Sequence, residues 1–405
     1  MTNSMHQSLS LTFIFLLFSI SSAHNDSHVE TNPSCAETNP SHVETNPDLQ
    51  INFKGSFSKV FAFGDSYTDT GNAHFLGGLN VTFSPGDKSS PENSSPVSNY
   101  TNRMCNGRLV LDFLSEALNL PPIPAYKEPS ANFNNGVNFA IAGSTVFTGD
   151  HFSSKNVSNL IWKGIPMAFQ TQMDWFNKYM TEAGCKGGGE GPCKAMMDNA
   201  LFWLGEMGVV DYGRAQGSSA ALQWLREVSV KNVGKLLEML LERGAKYVVV
   251  QGLPPVGCLP LDISLCPLKA LDRMGCAAAV NKAVMIHNQI LKKKLENLRK
   301  AHPNCKIVYA DYWNAYLTLL LNAKKYNIEE PFKACCGSGG GKFNFNKKLL
   351  CGSPGTSVCK DPSKYMSWDG IHLTEASYKH LADLFLNQGF CSPSFSDLIK
   401  GKKII

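Results

Sequence analysis

The chain has no apolar stretch long enough to span a bilayer, since its longest such run, Leu9 to Ile20, falls short of the roughly 20 residues a spanning helix needs. It also has no basic stripe. Its formal charge of +5 is dispersed over 405 residues without interleaved aromatics, which argues against a nucleic-acid surface. No histidine stands at ligand spacing from Cys258, Cys266 or Cys276, so no metal site is expected. The glycine runs Gly187-Gly188-Gly189 and Gly339-Gly340-Gly341 lack the preceding strand and the lysine of a phosphate cradle, and read as loops. What is present is apolar substance: 43% of residues are hydrophobic and only 18% charged, enough for one large catalytic domain.

Residues 1–23 read as a signal peptide, although without Lys or Arg. The apolar run is followed by Ser21-Ser22-Ala23, small residues of the kind signal peptidase accepts, so the mature chain is expected to begin near His24. Thirteen cysteines suit an oxidising compartment, and the odd number leaves at least one unpaired. Cys185 with Cys193, and Cys351 with Cys359, are each close enough to close a short loop, whereas the adjacent Cys335 and Cys336 need separate partners; the pairing itself stays open. Sequons begin at Asn25, Asn80, Asn93, Asn99 and Asn156, all in polar, turn-rich sequence. Together these features predict a secreted glycoprotein of the extracellular space or cell wall, with the vacuole an alternative.

Glu-Thr-Asn-Pro recurs at Glu30, Glu37 and Glu44, within a segment, 24–55, too poor in apolar residues to form a core and therefore expected to be disordered. The globular domain is expected over 56–398, with a basic tail at 399–405. In that domain short apolar runs predict strands at Lys59 to Phe63, Val137 to Ile141, Leu201 to Leu204, Tyr247 to Val250 and Lys306 to Ala310. Helical periodicity intervenes at Arg108 to Leu118, Met167 to Tyr179, Ala220 to Leu241 and Leu268 to Arg299, and a last helix is expected over Leu373 to Leu386. Strands alternating with helices imply right-handed crossovers and a parallel sheet covered on both faces, with chemistry at the carboxyl ends of the strands.

Two motifs meet that expectation. Val60-Phe61-Ala62-Phe63-Gly64-Asp65-Ser66 runs an apolar strand into a small-residue turn that presents a serine whose own N–H can face a carbonyl under attack. Near the other end, Trp368-Asp369-Gly370-Ile371-His372 sets an acid three residues before a histidine. That spacing lets Asp369 accept the Nδ1 proton and leaves Nε2 free to take a proton from a hydroxyl.

With further blocks at Asn138 to Ser144, Gly205 to Tyr212, Leu253 to Pro260, Ala334 to Gly337 and Ser367 to Ala376, the chain resembles the plant GDSL esterase/lipases of the SGNH hydrolase superfamily, from about Lys59 to Leu398. The resemblance implies a three-layer α/β/α, flavodoxin-like fold with a central parallel five-stranded sheet. It implies a Ser66, Asp369, His372 triad that hydrolyses carboxylic esters through an acyl-enzyme, without metal or organic cofactor. It also implies an oxyanion hole from the N–H groups of Ser66 and Gly143 and an asparagine side chain. Here the third donor is absent, because Val210 stands where the family has that asparagine.

The expected partner is a small-molecule or lipid ester, with no nucleic acid and no stable membrane insertion; oligomeric state is left open. Two alternatives stay open too: transfer of the acyl group to an alcohol acceptor, which the change at Val210 favours, and an inert relative that has kept the fold. The loops Thr82 to Asn102 and Gly184 to Pro192 are candidates to wall an acyl pocket. His287, His302 and His380 read as surface residues of helices, Asp311 as a helix cap, and Lys292-Lys293-Lys294 as a solvated helix face.

Overall fold

Five runs rich in Val, Phe, Leu and Tyr form the parallel core of one sheet: β1 (Lys59–Phe63), β2 (Gly136–Asn138), β3 (Ala200–Leu204), β4 (Tyr247–Gln251) and β5 (Lys306–Ala310). The computed structural model describes residues 53–77, 102–145, 168–185, 191–214 and 219–402, and Gln50 onward forms one compact unit. The expected signal peptide, the Glu-Thr-Asn-Pro tract up to residue 52, all five sequons, nearly all of the 82–102 loop and much of 184–192 lie outside the described residues.

The strand order is β2-β1-β3-β4-β5, the flavodoxin-like order, with Phe61 opposite Val137 on one side and Phe202 on the other. A sixth strand extends the expected five. Cys391–Ser392 pairs antiparallel with β5 through Cys391 and Ala310, and at two residues it is too short to leave a periodic signal. The chain moves one way from β1 to β2 and the other way from β2 through β5, so right-handed crossovers divide the helices between the two faces. Helix α1 (Val110–Leu118) packs with the C-terminal α7 (Glu375–Leu386), which also meets α6 (Tyr312–Leu321). Across the sheet, α4 (Ser219–Glu242) packs on α5 (Ala278–Ala301). On β1, Phe61 and Phe63 are two residues apart and so share a face. Both rings stand 5.7 Å from Phe176 of α2 (Phe169–Glu182). Burying each such side chain contributes roughly 1.5–3 kcal/mol.

Strand β2 stops at Asn138 where a run to Ile141 is expected. Phe139 N–H still donates to Ala62 O, but Ala140 N–H turns to the Asn138 side chain, and Asn72 Nδ2 donates to the carbonyls of Asn138 and Ala140. The helix expected from Leu268 begins ten residues later, at Ala278. Asp272 accepts from the N–H groups of Met274 and Cys276, and a Cys258–Cys276 disulfide holds the intervening turn.

Disulfides also join Cys185 to Cys193, Cys335 to Cys359 and Cys336 to Cys351. The Cys351 to Cys359 loop considered above is therefore corrected: each of those cysteines instead takes one of the adjacent pair at 335 and 336. Cys105, Cys266, Cys305 and Cys391 are unbridged. His287 is corrected as well. It lies on the buried stripe of α5 at 1% exposure, its Nδ1 3.3 Å from Tyr212 Oη, and burial pushes its pKa down to about 3, which keeps the ring neutral. His302 and His380 are partly exposed, and Asp311 does cap α6, accepting from Asn314 N–H at 3.2 Å. Of the three lysines, Lys292 and Lys294 bind Asp311 and Glu238 across elements, so that face is an ion-paired seam as well as a solvated one.

Candidate active site

Strand order reverses between β1 and β3, and ligands of open α/β sheets bind where that happens, outside the carboxyl ends of the strands. The Gly64 to Ser66 turn leaves β1 at this point, and Gly205 to Val210 leaves β3 beside it. The first turn is clamped from α2. Gln172, wholly buried, accepts from Gly64 N–H at 3.0 Å and donates to Gly64 O at 2.7 Å and to Ser144 Oγ at 3.0 Å.

The second motif arrives from the far end of the chain. Asp369 Oδ1 accepts from the N–H groups of Ile371 and His372 at 2.9 and 2.7 Å, which closes a loop too tight for any side chain at position 370. Gly370 has φ +94°, and a Cβ there would come within 2.3 Å of the Phe345 ring. Folded this way, Asp369 Oδ2 lies 2.6 Å from His372 Nδ1, and His372 Nε2 lies 2.8 Å from Ser66 Oγ. Tyr67 Oη donates to Ile371 O at 2.6 Å and so ties the serine turn to the histidine loop. Below, Trp368 is buried among Cys335, Cys336 and Cys351, and the N–H groups of Cys335 and Cys336 donate to Ser367 O and Trp368 O. Two disulfides thus brace the segment that carries the histidine. Chemically, the imidazole can take the hydroxyl proton while the carboxylate orients the ring and stabilises its charged form, an arrangement able to raise the nucleophilicity of Ser66.

Gly143 sits at φ +79° with open space where a Cβ would be, so backbone conformation rather than crowding selects glycine there. Its loop hangs on Asp69, a buried carboxylate that sequence reading overlooked. Oδ1 accepts from Gly71 and Asn72 at 2.7 and 2.6 Å, and Oδ2 from Ala73 and Ala142 at 3.0 and 2.8 Å. Burial pushes the Asp69 carboxyl up and those four donors draw it back down. The signal was available in hindsight, as an acid three residues after Ser66 in a turn-forming run. Thr145 Oγ1 also donates to Asp211, joining the same loop to α3 (Val209–Arg214). Among the described residues, the N–H groups of Ser66 and Gly143 meet no protein acceptor.

Val210, 7% exposed, lies in the first turn of α3 and with Ser66 lines a small, mostly apolar cavity of about 20 Å³, whose walls also include Val256, Leu259, Leu261, Ile371 and the buried carboxylate Asp262. Among the described residues no group of three or more His, Cys, Asp or Glu is arranged to hold a metal ion, and no helix is long and apolar enough to cross a membrane.

A family model described as GDSL-like Lipase/Acylhydrolase matches residues 60–385. A GDSL esterase/lipase of Arabidopsis thaliana is 41% identical over 358 residues, covering 86% of this chain and 90% of that protein. A second one from the same plant is 34% identical, with 84% and 86% covered. Acetylajmalan esterase 2 of Rauvolfia serpentina is 32% identical over 337 residues, covering 82% of this chain and 90% of its own length. Among solved structures, phospholipase A1 from Streptomyces albidoflavus NA297 aligns at 15% identity and a TM-score of 0.30 over 64% of this chain and 82% of that one, too distant a superposition to add to the fold.

Proposed function

Because the chain belongs to the GDSL-like lipase/acylhydrolase family and is a carboxylic ester hydrolase of the serine type, we propose that Ser66, His372 and Asp369 carry its chemistry. The observation that carries this reading is the pair of contacts at His372, 2.8 Å to Ser66 Oγ and 2.6 Å to Asp369 Oδ2. His372 Nε2 takes the hydroxyl proton as Ser66 Oγ bonds to the ester carbonyl carbon. The carbonyl oxygen becomes an oxyanion that accepts from the N–H groups of Ser66 and Gly143. When the intermediate collapses, His372 returns the proton to the departing alcohol and the acyl group stays on Ser66. Water, deprotonated by the same ring, then attacks the acyl carbon; as this second intermediate collapses, the bond to Ser66 Oγ breaks, His372 returns the proton to Oγ, and the free acid leaves. With Val210 in the remaining position, stabilisation of both tetrahedral intermediates rests on two backbone donors.

Labelling with a fluorophosphonate tests the assignment. Native protein is expected to label at Ser66 and Ser66→Ala not at all; equal labelling of the two would refute it.

The cavity beside Ser66 supports a short acyl group. At about 20 Å³ the cavity is small, and apart from Asp262 the side chains around Ser66 are aliphatic, so it suits the methyl of an acetyl ester. Acetylajmalan, for which one relative is named, carries that acyl group in its name. Forcing further methylenes into packed side chains costs about 1–3 kcal/mol. The acetyl ester of p-nitrophenol is therefore expected to have a kcat/KM about tenfold or more above that of the octanoyl ester, and a reversed order across a chain-length series would exclude the cavity as the acyl site.

Passage through the secretory route is part of the proposal. Its support is the four disulfides, which an oxidising compartment allows to form.

A further inference from the structure

Two carboxyl groups that no step above uses lie directly behind the nucleophile. Asp65 immediately precedes Ser66, Glu206 follows β3, and both side chains are wholly buried. The pairing of β1 with β3 brings the two carboxyl groups together, close enough for a proton to bridge them. Asp65 Oδ1 also accepts from Tyr67 N–H at 3.2 Å, and Val210 N–H faces the same carboxyl. Glu206 Oε2 accepts from Val209 N–H at 3.3 Å, while its own N–H donates to Gln251 Oε1 at 3.1 Å. The other two oxygens, Asp65 Oδ2 and Glu206 Oε1, meet no donor from the rest of the protein. Ionised carboxylates only accept hydrogen bonds, so two of them in contact need a proton between them.

We propose, building on the assignment of Ser66 as nucleophile, that Asp65 and Glu206 are positioning residues that share one proton, and that this acid pair locks the Ser66 turn to the Val209-Val210 segment. The pair spans the switch point from the end of β1 to the end of β3. Through the Tyr67 N–H on one carboxyl and the Val209 N–H on the other, it fixes the relative placement of the serine and of the segment that carries the third oxyanion position.

The titratable groups whose charges act on the pair are His372 on Asp65, Asp211 and Tyr67 on Glu206, and Tyr312 on both. Burial raises the Asp65 carboxyl and raises Glu206 well above its ordinary range, with the Asp65 and Asp211 charges adding to the latter. The sign follows from linkage. In the unfolded chain both acids lose their protons near pH 4, whereas the folded chain keeps one, so above pH 4 the unfolded state binds fewer protons and stability falls as pH rises. The fall ends once the pair loses its proton, and two adjacent charges then push the serine turn away from Val209 and Val210. An alkaline decline in kcat results.

Glu206→Gln separates the hydrogen bond from the proton, because the amide donates to an ionised Asp65 at any pH. Thermal midpoints from pH 5 to 9 and kcat and KM for a short aryl ester should be measured for wild type, E206Q and E206A. Relative to wild type, E206Q is expected to gain several degrees between pH 5 and pH 9 and to lack the alkaline decline. E206A is expected to lose at least tenfold in kcat with KM within threefold, and E206Q to recover most of that loss. A midpoint difference between E206Q and wild type that does not change with pH would overturn the shared proton, even if E206A fails to fold. Wild-type kcat in E206A would overturn the positioning role. The midpoints need no turnover, so failure of the Ser66 assignment, read from fluorophosphonate labelling of wild type, is distinguishable from failure of the acid pair.

Discussion

Replacing His372 with alanine is expected to lower kcat by about 10⁴- to 10⁶-fold while KM changes little. His372 Nε2 is the group within 2.8 Å of Ser66 Oγ positioned to take its proton, and a neutral serine hydroxyl is a poor nucleophile at neutral pH. Asp369→Asn is the more informative companion, with an expected loss of about 10⁴-fold. An asparagine amide at that position donates to Nδ1, where the carboxylate accepts at 2.6 Å, and so moves the ring proton to Nε2, the wrong nitrogen for a base. The Ile371 and His372 N–H groups can still donate to the asparagine carbonyl, so the loop should keep its shape. Residual turnover in both variants is expected to rest on the backbone donors and on binding alone. Steady-state kinetics on a short-chain aryl ester measures both losses; a drop of less than tenfold in H372A would remove His372 from the role of base.

The second large effect runs the other way. Val210→Asn is expected to raise kcat by up to about a hundredfold, the reciprocal of what a hydrolase loses with one oxyanion donor, about 3 kcal/mol. The side chain at 210 shares a cavity with Ser66, so an amide there is placed to reach the oxyanion that the proposed mechanism gives only the Ser66 and Gly143 donors. Before substrate binds, the new amide is buried without a full set of partners, which costs about 1–3 kcal/mol of stability. The thermal midpoint should therefore fall while activity rises. Unchanged kcat with a lowered midpoint would mean that this position does not face the developing oxyanion. Asn and Val are similar in volume, so the cavity's preference for short acyl groups should survive the exchange.

The parts of the molecule legible in the sequence are those whose physics is local. Lys59–Phe63 and Lys306–Ala310 are apolar runs bounded by turn residues, and both strands have the expected ends. Asp369 and His372 meet through a three-residue loop, so spacing alone carried that relation. Cys391–Ser392 is too short for any period to register, and its strand exists because β5 offers an unpaired edge. His287 was misjudged because position on a helix face, and not the chemistry of imidazole, decides burial: the partners that cover it include Tyr212, far away in sequence. The disulfide partners of Cys351 and Cys359 depended on a loop closure in space that sequence proximity misrepresented. Asp65 and Glu206 were invisible as a pair for the same reason, since only the adjacency of β1 and β3 brings them together.

Ser66 and His372, the proposed nucleophile and base, are separated by 306 residues of chain. At roughly 5–20 residues per second, a ribosome completes the nucleophile some 15–60 s before it completes the histidine. During that interval the strands that border Ser66 can already pair, yet the nascent polypeptide has no means of withdrawing the serine proton. On this assignment competence arrives in the final stretch of synthesis, and any product ending before His372, whether from an early stop or a protease cut, carries the proposed nucleophile without its base.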